Sequence, residues 1–214
     1  LPNRWIVTSK VFAHAACLGP IAYLLWRLYL SATSNASALG PDPTATVTFF
    51  TGFGTLRLIV ISLVITPLRR LVPRLAWLIR FRRMLGLYAF FWGSLHLLTY
   101  LWLYAGWSWP AMRDDITRRP YIWAGLTAWT LMVPLVLTST TWSIRKLGGK
   151  RWNLLHRLVY VSAVAGVVHY WWIVKTGVLA PMQITVILAI VLAARPVLTW
   201  IKKRKTPPPA PVAA

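Results

Sequence analysis

Acidic residues are almost missing from this 214-residue chain, which holds three, Asp42, Asp114 and Asp115, against 24 Lys and Arg. None of the three falls in a long apolar run, so the intramembrane carboxylates expected of a proton pump or cation transporter are lacking. Cysteine is scarcer still. Cys17 stands alone, which excludes an intrachain disulfide, an all-cysteine iron–sulfur site and thioether attachment of a cofactor through Cys-x-x-Cys-His. The chain has no Gly-x-Gly-x-x-Gly opening a βαβ unit, no His-Glu-x-x-His and no Gly-x-Ser-x-Gly, and no polar stretch long enough for a nucleotide domain. Direct use of a nicotinamide donor through a Rossmann-type domain is set aside on those grounds.

What the chain does have is apolar length. Hydrophobic residues make up 57%, mean hydropathy is +0.58 and there are 14 Trp, a composition of membrane proteins. The net charge of +21 would suit nucleic acid if it formed one solvated face. The Lys and Arg come instead in short clusters between apolar runs, the pattern of cytoplasmic membrane flanks, so no nucleic-acid partner is expected. Six runs are long enough to cross roughly 30 Å of hydrocarbon: 11–30, 48–67, 84–105, 121–139, 156–175 and 182–201. The expected fold is an all-α integral membrane bundle of six transmembrane helices in a lipid bilayer. Residues 1–10 form a cytoplasmic N-terminus, 11–201 the bundle, and 202–214 a basic, proline-rich cytoplasmic tail.

Orientation follows from the flanks. One side carries Arg4 and Lys10, Arg69 to Arg83, Arg145 to Arg151 and Lys202 to Lys205; the other carries Arg113, Arg118, Arg119 and Lys175. The richer side is cytoplasmic by the positive-inside rule, which puts both termini there. A cleaved signal peptide is the competing reading of the first run, because small residues follow at Ser34 to Ala38. The length of the run and Arg27 near its end favour a retained helix.

Four histidines remain to be placed. His96 lies twelve residues into the third run and His169 thirteen into the fifth, about 18 and 20 Å along at 1.5 Å per residue. Both runs point the same way, so the two imidazoles stand level, in the outer half of the bilayer. Two level imidazoles on neighbouring helices can grip one iron porphyrin from both faces; the competing reading is that each bonds a neighbouring helix in a non-redox anchor or small transporter. His156, beside Arg151 and Arg157, reads either as a hydrated interfacial group or as a contact to a second haem, a flavin or a quinone. Thirteen residues at 100° leave it about 140° from His169, so they share a face only where the helix bends, near Gly166. His14 reads as structural. Arg57 sits in the middle of the second run with no acid in any run; a haem propionate would neutralise it, and helix carbonyls or a watery crevice are the alternative.

Several short runs together resemble the MsrQ family of haem-binding membrane subunits, within the ferric reductase-like transmembrane superfamily. They are Arg82 to Leu87 followed by His96, Ile116 to Tyr121, Leu137 to Thr140, Leu147-Gly148 with Trp152 and His156, and His169-Tyr170 with Lys175, so the likeness runs from about Gly40 to Lys175. The resemblance implies a six-helix ferric-reductase-like domain in the bacterial inner membrane. It also implies a function: electrons pass from the quinone pool, or from a cytosolic flavin reductase, through haem b to the periplasmic molybdopterin enzyme MsrP. That partner reduces methionine sulfoxide in damaged proteins, so substrate chemistry lies outside this chain. FMN is a further cofactor implied by the family. A quinol-oxidising cytochrome b serving another enzyme is the alternative. In the wider superfamily two stacked haems use two histidines on each of two helices. His96, His156 and His169 match three of those positions, while the fourth, fourteen residues before His96, is Arg82, a poor iron ligand because its guanidinium stays protonated. An inner haem is then absent, held by His156 with another partner, or replaced by another cofactor.

Overall fold

The computed structural model describes residues 4–33, 36–175 and 177–205; the proline-rich end of the tail, from Thr206 onward, lies outside them. Eight α-helices are found among the described residues: α1 (Arg4–Thr33), α2 (Pro43–Leu71), α3 (Arg82–Thr99), α4 (Trp109–Arg118), α5 (Pro120–Leu137), α6 (Thr141–Leu155), α7 (Leu158–Ile173) and α8 (Leu179–Lys205). Each expected run lies on a helix, with ends moved by a few residues. Five stretches are long and apolar enough to cross a membrane: Arg4–Thr33, Pro43–Leu71, Pro73–Tyr104, Pro120–Leu137 and Leu179–Lys202. The fifth expected run becomes α7, whose 16 residues measure about 24 Å.

Local chemistry sets the helix ends. Asp42 caps α2, its carboxylate accepting the Ala45 amide at 2.9 Å, with Pro43 in the first turn; Thr140 caps α6 the same way through the Ser143 amide. Both are side-chain acceptors for amides that have no carbonyl one turn earlier. Between α2 and α3 the chain makes a 3₁₀ stretch over Pro73–Phe81, and α3 ends in a single π-helical turn over Tyr100–Tyr104. The polar intervals between the expected runs are helical too. α4 carries Arg113, Asp114, Asp115 and Arg118, and α6 carries Arg145, Lys146, Lys150 and Arg151, with a break at Gly148 (φ 74°, ψ 151°).

α2 is the hub. Leu56, Ile59, Val60 and Leu63 on α2 pack with Ala89 of α3, Met132 of α5, Ala163 and Val167 of α7, and Ile184, Leu188 and Val191 of α8. Small side chains bring the backbones close, and polar ties cross between helices. Ser162 donates to the Ala128 carbonyl at 2.7 Å, Trp129 to Ser94 Oγ at 3.0 Å and Trp92 to the Cys17 carbonyl at 3.1 Å. Arg195 donates to the Leu63 carbonyl at 2.7 Å and to Tyr160 Oη at 2.6 Å, fastening α8 to α2 and α7. Outward faces stay apolar, as at Phe12, Leu25 and Ile190, each at least 60% exposed. A bundle whose outside is as apolar as its inside is solvated by hydrocarbon.

Candidate functional site: a histidine pair across the bundle

His96 on α3 and His169 on α7 come together, ring centres 5.9 Å apart and planes at 80°. They are seated by the same device. His96 Nδ1 donates to the Thr48 carbonyl of α2 at 3.0 Å, and His169 Nδ1 donates to the Tyr121 carbonyl of α5 at 2.7 Å. In a helix each carbonyl also faces the amide four residues on, which belongs to Gly52 in one case and Gly125 in the other. A Cβ at Gly52 would lie 2.9 Å from His96 Cε1, and one at Gly125 would lie 2.8 Å from His169 Cε1. Glycine is required at both places because the imidazole lies directly on the helix backbone.

The tethers fix the chemistry of the rings. With Nδ1 committed to a carbonyl, each imidazole keeps Nε2 as its free lone pair, the arrangement that prepares a histidine to bind a metal. His169 Nε2 is buried with no hydrogen-bond partner, an orphan that asks for one. Among the described residues no three His, Cys, Asp or Glu side chains gather around a common point. Two nitrogen–metal bonds of about 2 Å each, close to those of zinc–imidazole sites, fit between the rings. A metal centre held there would need further donors from a cofactor that the cavity can take, and the two imidazoles are the residues that would hold it. Both rings face a cavity of about 600 Å³, within the range of cofactor pockets, walled by Gly93, Trp129 and Met132 among others. At its end nearest α4 stand Tyr100, Tyr104, Arg119 and Lys175. Arg119 is shared with Asp115 at 3.0 Å and donates to Tyr121 Oη at 3.1 Å.

The other residues singled out from the sequence lie elsewhere. Arg57 is outside the histidine cavity: its guanidinium sits 4.1 Å over the Phe53 ring and lines a neighbouring cavity. The structure therefore does not set it where a propionate of a macrocycle between His96 and His169 would lie, and Arg119 and Lys175 are the basic groups that line that space. His156 is at the turn between α6 and α7, before the helix that carries His169. Its Nδ1 donates to the Trp152 carbonyl at 3.0 Å, its ring stacks on Trp152 at 3.7 Å, and its Nε2 is buried without a partner. Arg82, at the start of α3, is within electrostatic reach of both His156 and Arg195. His14 bonds Tyr88 Oη at 2.6 Å, a helix-to-helix tie as expected of a structural group. Sequence reasoning missed Gly52 and Gly125, and it missed Arg119 and Lys175 as cavity residues. The glycines do leave a trace, each lying four residues after the residue whose carbonyl holds the ring.

Known proteins supply the class. Residues 45–167 match the family model described as ferric reductase like transmembrane component. Relatives described as protein-methionine-sulfoxide reductase heme-binding subunit MsrQ are similar to this chain along most of its length. Those of Xanthomonas campestris pv. campestris (strain 8004) and Xanthomonas axonopodis pv. citri (strain 306) are 44% and 43% identical to this chain, each covering 96% of it and 95% of the relative. That of Azospira oryzae is 49% identical over 75% of this chain and 69% of its own. The chain belongs to the ferric reductase-like transmembrane family and, within it, to the MsrQ family.

Proposed function

We propose that this chain is a membrane electron-transfer subunit holding one b-type haem between His96 and His169. It would pass electrons to the periplasmic molybdopterin methionine sulfoxide reductase MsrP and so support repair of oxidised proteins. The observation that carries the reading is the seating of the pair: two Nδ1 groups tethered to carbonyls of two other helices, with both rings facing one cofactor-sized cavity. A haem held there by the His96 and His169 imidazoles would supply one-electron chemistry. The names of the relatives, which describe a heme-binding subunit, support the same cofactor.

The rest of the assignment follows the fold. α7 serves as the sixth span, because Ala163 and Val167 bury it in the core between α5 and α8 and the turn at His156 extends it toward the basic end. That end, with α6 and the foot of α8, is cytoplasmic, and the end bearing Asp42 and α4 faces the periplasm of the inner membrane. Arg119 and Lys175, which line the cavity, would hold the haem propionates at the periplasmic mouth, beside the surface where MsrP would dock. His156, with its orphan Nε2 and Arg82 within electrostatic reach, is a one-sided inner ligand position. The donor is membrane quinol or a cytosolic flavin reductase; FMN and the reductase rest on family kinship.

Absorption spectroscopy of the purified chain tests this. The wild type should show a reducible b-type spectrum with strong Soret absorbance, and His96→Ala and His169→Ala should each abolish the same six-coordinate signal. A full spectrum in either variant would refute the pairing.

A further inference from the structure

The cavity that holds Arg57, about 780 Å³, backs directly onto the histidine cavity. Three residues line both, and all are aromatic: Phe49, Phe53 and Tyr170. The Phe53 and Tyr170 rings meet at 5.8 Å, so the partition is one aromatic layer thick. The far wall is made by Cys17 and Pro20 of α1, Phe50 of α2 and Trp92 of α3, with Ala180 of α8 closing one side. Phe49 and Ile61, which also line the cavity, are 45% and 50% exposed. The cavity is therefore open on the apolar flank of the bundle, toward lipid.

Arg57 gives this space its polarity. It lies fourteen residues into α2, about 21 Å from the Asp42 end. Its guanidinium faces the open cavity, makes its contact with the Phe53 ring, and has no hydrogen bond or ion pair among the described residues. Asp42 lines the same cavity but is spent on the first turn of α2. A guanidinium only donates, so the ligand must bring acceptor oxygens to this depth in hydrocarbon. The phosphate of a phospholipid stays at headgroup level and does not reach it. The walls suit a ring beside Phe53 and within reach of Arg57, with an apolar tail along Leu58 and Ile61.

We infer that this cavity is a quinone site, in which Arg57 donates to a ring carbonyl oxygen of a lipid-soluble quinone packed against Phe53. The inference rests on the electron-transfer reading and deepens it, since it sets the donor one aromatic layer from the imidazole pair. Its test is a titration of decylubiquinone into the full chain in phosphatidylcholine nanodiscs, read by quenching of tryptophan fluorescence. Binding should saturate; Arg57→Gln should raise Kd at least tenfold and Arg57→Lys by less, both with the wild-type haem spectrum as proof of folding. An unchanged Kd in Arg57→Gln overturns the site. So does displacement of the quinone from the wild type when phosphatidylglycerol is added to the discs, which would assign the cavity to an anionic lipid. A haem spectrum without saturable quinone binding sinks this inference alone, whereas saturable, Arg57-dependent binding without any haem sinks the electron-transfer reading and leaves the site.

Discussion

The two ends of the bundle treat histidine differently. Toward the end that bears α4, His96 and His169 are each held by a carbonyl of a different helix and each rests on a glycine of that helix. At the basic end, His156 is held by its own preceding turn, bonding the carbonyl four residues back and stacking on the Trp152 ring. A tether to another helix fixes where the free nitrogen points relative to the whole bundle. A tether to the preceding turn fixes it only relative to that turn. The first arrangement builds a two-sided site, and the second leaves one buried nitrogen without a hydrogen-bond partner.

That contrast can be broken. The largest effect is expected from adding a methyl group under either ring of the pair. Gly52→Ala and Gly125→Ala should each cost about 1–3 kcal/mol, roughly tenfold to a hundredfold in haem affinity, measured by haem-to-protein ratio after dilution. Gly149→Ala, in α6 near His156, has nothing within 4 Å of its new Cβ and should be neutral or stabilising by about 0.5–1 kcal/mol. Equal losses at all three positions would erase the distinction between the two ends.

A middle-sized effect sharpens it. Replacing Arg119 and Lys175 together by Gln should speed haem loss several-fold and shift its midpoint potential, because two cations leave the cavity mouth. The effect is held to about 0.5–1 kcal/mol per charge by solvent screening, Arg119 being half exposed. A redox titration identical to the wild type would move the propionates elsewhere. The smallest effect is expected at His156: His156→Ala should leave the six-coordinate spectrum of the pair unchanged. Loss of that spectrum would make the basic end part of the same site.

Much of this was legible from residue order. Run length and charge clusters located the long helices, and counting residues put His96 and His169 level, where the structure brings them together. Depth is readable because every helical residue advances the same 1.5 Å. Facing is harder, since it depends on how each helix is rotated, and nearly uniform apolar faces carry little information about that. Arg57 shows the difference: it follows Gly52 by five residues, about 140° further around α2 at 100° each, and so points away from the ring that Gly52 supports. Thr48, Gly52, Thr55, Leu56 and Ile59, spaced by three, four and seven, share the cavity face. α4 and α6 carry no clear helical signal in residue order, because they are too polar to span and too short for an amphipathic pattern to stand out. The shortness of α7 was hidden by the apolar residues just outside its ends.

The π-helical turn that closes α3 has a consequence for how the mouth is built. Its wide ring, closed by the Ala105 amide on the Tyr100 carbonyl at 3.0 Å, holds one residue more than an α-turn would. Everything after it is rotated by about a quarter revolution. Tyr100 and Tyr104 both reach the entrance of the histidine chamber from this coil. Excising a single residue there would let the coil relax into ordinary helix, swing Tyr104 off the entrance, and leave the seats of both imidazoles, on other helices, untouched.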